Sequence, residues 1–216
     1  MKTAFTIPIG NGIAVSESVT VTWVIMAVLL VLSVWLTRDL RVEGEISKRQ
    51  LLLESGISFL RDFFDGILGP EGRRYIPYLM SVAIYIGISN VIGIFGFTPP
   101  TKDLNVTAAL AVLSLFLIEY AGFHKRGLGG FLKSFAEPVP VILPINIMEI
   151  FIRPVSLCMR LFGNVLGSFV VMELIKLLCP ILAPVPFSFY FDLFDGLIQA
   201  YVFVFLTALF IKESLD

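Results

Sequence analysis

The sequence predicts an all-α polytopic membrane protein. It has five membrane-embedded helices plus one interfacial amphipathic helix, the last two helices forming a long, strongly tilted hairpin. Three observations lead there. Of the 216 residues, 57% are hydrophobic and only 15% charged, with a mean hydropathy of +0.90, whereas a soluble domain carries about 25% charge. Apolar runs of about twenty residues recur, the length that crosses a bilayer. Lysines and arginines gather in alternate connections, the signature of helices crossing back and forth. The whole chain, 1–216, reads as a single membrane domain.

The first span covers 19–36, VTVTWVIMAVLLVLSVWL, with Trp23 and Trp35 near its ends, where aromatic belts form. Lys2 is a weak basic start, the apolar run begins only near Val19, and no small-residue cleavage site follows. The run therefore reads as a retained helix rather than a signal peptide. Residues 50–69, QLLLESGISFLRDFFDGILG, scatter Glu54, Arg61, Asp62 and Asp65 among Leu, Ile and Phe. No uninterrupted span fits, and an amphipathic helix along the cytoplasmic interface, or one packed on other subunits, does. The second span is 75–96. The Pro-rich TPPTKDLN (98–105) turns the chain, and the third span is 106–121. Asn105-Val106-Thr107 matches a glycosylation sequon, but a turn asparagine explains it. His124 reads as a solvated loop residue among HKR. EPVPVILP (137–144) breaks helix repeatedly. A long helical pattern fills 145–178, Pro180, Pro184 and Pro186 mark a turn, and the last helix covers 187–211.

Seven Lys/Arg lie from Arg38 to Arg74 and three more follow span three, against only Lys2 and Lys102 on the other side. The positive-inside rule then puts the N-terminus outside and the C-terminus in the cytoplasm. The net charge of −1 carries little information about partners, and no nucleic acid is expected. Cys158 and Cys179 lie in apolar surroundings, with no CxxC or Cys/His metal spacing. Neither a disulfide framework nor a metal or cofactor site is expected.

Residues 145–178 make a helix of roughly 50 Å at 1.5 Å per residue, against a hydrocarbon core about 30 Å thick. It must tilt strongly or lie along a protein partner. At 100° per residue, Glu149, Arg153, Ser156, Arg160, Asn164 and Gly167 fall within about 40° of one line. Lipid cannot face that stripe, since a charge at mid-bilayer costs at least ~2.5 kcal/mol. Gly163 and Gly167 flank the same face, as small residues do where another helix comes close. They pack either on this chain's own helices or on a partner, and Arg160 beside them favours a functional interface. Glu173 and Lys176 point to roughly the opposite side and are spaced to pair at i,i+3.

The last helix has its own stripe. Asp192, Asp195 and Gln199 are spaced to share a face, either lining a wet ion path or solvated near the outer end. Glu149 then lies toward the cytoplasm, and Glu173, Asp192 and Asp195 toward the outside, with Arg160 between. A guanidinium with a pKa above 12 relays no proton. It repels a passing cation and attracts a partner's carboxylate, so the pattern describes a gate between two half-paths rather than a pore.

The core RPVSLCMRLFGN (153–164), supported by FDLFDGLIQAYVFVFLT (191–207) and TPPTKDLNVT (98–107), resembles subunit a of the F-type ATP synthases. The match covers essentially the whole chain from the first span onward. The resemblance implies an ion-translocating stator subunit in a bacterial plasma membrane, partnered by the c-ring, the peripheral-stalk b subunits and the rest of the F1Fo complex, and moving H+ or Na+. It implies that Arg160 displaces the ion from the c-ring carboxylate and blocks leakage between half-channels. Asn164 and Gln199 match polar positions near that arginine, and Arg153 a basic position one heptad earlier. Asp192 matches a titratable or polar position one heptad before the glutamine. Many members carry a glutamate nine residues after the arginine, where this chain has Phe169. Glu173, with Asp192 and Asp195, is the expected replacement.

No covalent catalysis is expected of this chain, which lacks a phosphate-cradling GxxxxGK[ST]. A stand-alone secondary transporter is the alternative. It calls for structural repeats and a helix broken at midplane, and neither a repeat nor a Gly/Pro break near Arg160 is visible. An intramembrane hydrolase lacks its Ser/His or His-rich zinc constellation.

Overall fold

The computed structural model describes residues 3–7, 13–38, 47–95, 97–134, 143–178 and 184–215. Six helices dominate them, five long and apolar enough to cross a membrane. An antiparallel hairpin, β1 (Thr3–Ile7) and β2 (Ile13–Ser16), precedes the helices, with Thr6 opposite Ala14 and Ile7 opposite Ile13. The hairpin is absent from the helical expectation because its two short apolar runs fall before the first hydrophobic span.

Helix α1 (Glu17–Thr37) is apolar all round, and Ile25 is its one buried residue. A continuous apolar surface with so little protein against it is what a lipid-facing helix shows. Among its ties to the rest are a hydrogen bond from Tyr85 Oη to Thr22 Oγ1, 3.2 Å, and the Arg49 guanidinium over the Trp35 ring. Helix α2 (Lys48–Leu68) starts at Ser47, whose hydroxyl accepts from the Arg49 amide, and stops at Gly69, which takes φ 69°. Its Phe64 and Leu68 are buried, while Leu51, Leu52, Ile57 and Phe59 lie exposed. Phe63 packs on Tyr201 and Phe205 at 5.4 and 6.5 Å between ring centroids.

Helix α3 (Ile76–Val91) is extended by 3-10 turns, so the chain stays helical from Pro70 to Phe95. Helix α4 (Leu104–Ser134) runs through the segment expected as a loop after residue 121. Its break comes at Gly127, where φ is 67°, a conformation that only glycine adopts freely. The expected helix breakers at 137–142 lie outside the described residues. Helix α5 (Leu143–Leu178) has 36 residues, about 54 Å long at 1.5 Å per residue. Helix α6 (Pro184–Leu215) begins three residues before the expected 187. Pro184 and Pro186 fall in its first turn, where the amide they lack has no helical partner. Phe189–Asp195 within α6 is π-helical.

The core is shared by α2, α3, α4, α5 and α6 around Phe64, Leu79, Ile86, Ile118, Leu157, Leu161, Phe203 and Ile211. Helix α5 contributes few buried residues: Leu157, Cys158, Leu161 and Met172. Most of its length therefore presents surface outward, and the character of that surface decides what the molecule can meet.

Candidate functional site

Two features stand out on α5: an outward polar face and a cavity behind it. On the face, Ser156, Arg160, Gly163 and Gly167 are exposed. A Cβ built on either glycine would meet nothing within 4 Å. The two glycines therefore do not serve packing among the described residues of this chain. Arg160 makes no hydrogen bond, ion pair or ring contact with a described residue. An uncompensated guanidinium is costly in hydrocarbon, so this face does not suit lipid.

Arg153, on the same stripe, is held quite differently. One of its terminal nitrogens donates to Glu149 Oε2 at 3.0 Å and to Glu213 Oε1 at 2.9 Å, and the guanidinium lies 5.0 Å from the Phe210 ring centre. It ties α5 to the C-terminal end of α6. Nothing local in the sequence marks Glu213, because its partner lies sixty residues away.

Behind the face is a cavity of about 470 Å³ between α3, α5, α6 and the 98–102 turn. Asp192, Asp195 and Gln199 line it, with Asn90, Ser168 and Lys102. Asn164 Nδ2 donates to Asp195 Oδ2 at 2.7 Å, and Ser168 Oγ donates to the same oxygen at 3.3 Å. Asp195 thereby links α6 to the helix that carries Arg160. Asp192 accepts from Ser188 Oγ at 2.5 Å and presses close to Gly93, where an added Cβ would come within 2.8 Å of its Oδ1. The π-helical turn explains this divergence. A wider turn advances fewer degrees per residue than an α-helix, so Asp192 swings toward α3 while Asp195 meets α5.

Asn90 is the polar residue that pins this wall. It is buried, donates to the Gly196 carbonyl at 2.9 Å and accepts from Thr101 Oγ1 at 2.6 Å. An asparagine in an otherwise apolar span, SNVIG, was the available signal. Ser168 was legible too, one helical turn beyond Asn164. Lys102 Nζ sits over the Phe169 ring, 2.9 Å from its centre. Burial pulls this lysine below the usual lysine range, and the carboxylates of Glu173 and Glu17 counteract that.

Glu173 is exposed and pairs with Lys176 at 3.0 Å. It does not line the cavity that holds Asp192 and Asp195. Glu173 therefore does not share a wall with the two aspartates, although its partner Lys176 does. Among the described residues no three His, Cys, Asp or Glu side chains converge to hold a metal ion.

Comparison with known proteins bears on this geometry. The model of the family described as "ATP synthase A chain" matches residues 19–212. The "ATP synthase subunit a" of Moorella thermoacetica is 38% identical, covering 93% of this chain and 91% of the relative. An "ATP synthase subunit a 2" of Acaryochloris marina is 36% identical over 89% of this chain and 82% of the relative. The "ATP synthase subunit a, sodium ion specific" of Propionigenium modestum is 33% identical over 94% and 75% respectively.

Proposed function

The chain belongs to the ATP synthase A chain family, and from that membership we propose how it moves ions past the rotor. It is a multi-pass membrane subunit of the Fo stator. The exposed face of α5 lies against the c-ring, with Arg160 at its centre. The observation that carries the reading is that Arg160 stands exposed and unpaired among the described residues, beside two glycines with open space before them. The glycines let a ring helix come close, and the guanidinium then meets the ring carboxylate.

Ions enter or leave through two offset half-channels. The outer one is the cavity behind α5, with Asp192, Asp195 and Gln199 in its wall and Asn164 bonded to Asp195. The inner one opens beside Ser156, Glu149 and Arg153. As a ring carboxylate arrives, Arg160 pairs with it and displaces its ion. Because the guanidinium stays charged, it also repels any cation moving straight from one half-channel to the other. The membrane potential contributes about 2.3 kcal/mol per charge per 100 mV and biases the ring's rotation. Glu173, paired with Lys176, stands at the outer lip. The N-terminus is outside and the C-terminus cytoplasmic, the peripheral-stalk b subunits hold this subunit still, and ATP chemistry belongs to other subunits.

The test is ion-driven ATP synthesis and ATP-driven pumping in proteoliposomes holding the whole complex, with Arg160→Ala beside wild type at varied Na+ and pH. Loss of coupled transport from an assembled variant supports the reading. Normal coupling in that variant makes Arg160 structural and removes the gate.

A further inference from the structure

We propose that the end of the bundle where α3 and α4 meet binds an anionic phospholipid, its phosphate in a basic pocket and an acyl chain in the apolar groove beside it.

The pocket, about 390 Å³, lies among the 3-10 turn Pro70–Tyr75 that leads into α3, the basic stretch of α4 and the last residue of α6. Its charged lining is Glu71, Arg74 and Lys125, with His124 beside them. Glu71 and Lys125 pair with each other, and Arg73 pairs with Asp65. Arg74 pairs with no described acid. Its guanidinium lies beside the Tyr75 hydroxyl, a neutral neighbour that leaves the charge uncancelled. Arg126, exposed and next after Lys125, has no ion-pair partner among the described residues either. The balance here is therefore positive. A guanidinium offers a planar fork that matches two phosphate oxygens, and basic pockets between membrane helices hold anionic headgroups.

The groove, about 620 Å³, runs along α4. Leu113, Phe116, Tyr120 and Phe123, spaced three or four apart on one face, line it with Tyr78 of α3. Tyr78 shares its hydroxyl with Ser114 at 3.3 Å. The Tyr120 ring stacks on His124, 5.8 Å between centroids, which joins the groove to the pocket. Glu119 is the one charge on the groove, half-buried, with the Arg153 guanidinium of α5 acting on it. Its carboxylate repels a phosphate. The ligand's direction follows: headgroup toward Arg74, hydrocarbon toward Phe116. A free phosphate would fill only the pocket, whereas the groove takes a chain joined to that phosphate.

The experiment uses the whole complex in phosphatidylethanolamine proteoliposomes with a trace of phosphatidylglycerol that carries a photoreactive group on its acyl chain. After illumination, labelled peptides are quantified by mass spectrometry. Helix α1, apolar all round with one buried residue, reports contact with bulk lipid. Wild type is expected to be labelled at 113–123 clearly above α1. Unlabelled phosphatidylglycerol should remove that excess, while added phosphatidylethanolamine or inorganic phosphate should leave it. Arg74→Gln is expected to weaken apparent affinity about fivefold, the worth of one basic side chain beside an anionic headgroup. Arg74→Lys should fall between, keeping the charge without the fork. Leu113→Trp should lower the labelling by filling the groove with no change of charge. Labelling no higher than on α1, or equal competition by phosphatidylethanolamine, means bulk lipid only and overturns the proposal. Competition by inorganic phosphate assigns the pocket to a free anion and overturns it too, as does unchanged labelling of Arg74→Gln. If that variant fails to assemble, competition in wild type decides alone.

Discussion

Arg153 and Arg160 sit two turns apart on one face of one helix, and the protein treats them as opposites. Arg153 is only about one-fifth exposed and is clamped between Glu149 and Glu213. Arg160 is exposed and touches no described polar partner. The same residue type on the same stripe is a fastener in one place and, among the described residues, an exposed charge without a partner in the other. The difference comes from what packs alongside. The end of α6 reaches α5 near Arg153 with Glu213 and Phe210. Near Arg160 and its glycines the space is open. A charge whose partners lie within the chain stabilises the fold, and one without them is available to an incoming carboxylate.

The largest effect should come from breaking the unpaired member. Arg160→Ala is expected to cut coupled ATP synthesis at least a hundredfold, about 2.7 kcal/mol on the barrier. The amount of assembled complex should not change, because no described residue depends on that guanidinium. Quantifying subunits after purification, beside the synthesis rate, checks both halves. A variant that fails to assemble would instead place Arg160 with Arg153, among the fasteners.

Next in size is the link between Arg160's helix and the cavity. Asp195→Leu removes the acceptor shared by Asn164 and Ser168 and a titratable group from the cavity wall. Proton pumping is expected to fall about tenfold, near 1.4 kcal/mol, with Asp195→Asn intermediate because its carbonyl oxygen still accepts. Equal loss from both variants would mean that the charge matters and the hydrogen bonds do not.

Most of this contrast cannot be read from helical periodicity, although much around it can. Hydropathy and the spread of lysines and arginines predict a polytopic helical protein, and the five long apolar helices are there. The motif around Arg160 identifies the family through its residue order. The partners of the two arginines are another matter. Glu213 lies sixty residues from Arg153, and no spacing rule brings it there. The paths of Asp192 and Asp195 depend on a π-helical turn, whereas a projection at 100° per residue assumes a uniform α-helix. The seat of Lys102 on Phe169 depends on the 98–102 turn folding back onto α5, a long-range contact that leaves no local trace. Gly127 shows the converse, since a lone glycine after a basic run marks the break in α4 more closely than the end of the apolar run does.

A smaller effect is expected from breaking the fastener. Arg153→Met keeps much of the packing on Phe210 and removes two ion pairs whose carboxylates are half exposed. Exposed pairs are worth about 1 kcal/mol or less. The assembled complex should therefore lose a few degrees of thermal stability, while transport stays within about twofold of wild type. A double-mutant cycle with Glu213→Gln measures the coupling directly. A collapse of transport without loss of stability would make Arg153 a working part of the inner half-channel rather than a fastener beside it.

The smallest effect is expected at Glu173, and it sharpens the contrast most. The motif has Phe169 where a glutamate is common, and Glu173 is the nearest carboxylate along α5. In the fold it is exposed, pairs with Lys176, and is not among the residues that line the cavity. An exposed pair of this kind, one helical turn apart, contributes only a few tenths of a kcal/mol. Glu173→Gln should leave pumping and synthesis within about twofold of wild type, since a lost surface pair changes a rate by no more than that. The same complexes with Asp192→Asn should show a clear deficit, because that carboxylate lines the cavity. If Glu173→Gln proves as damaging as Asp195→Leu, the outer path runs along the far side of α5. The missing glutamate would then have been replaced one turn along the same helix. If only the aspartates matter, the carboxylate function has moved to α6.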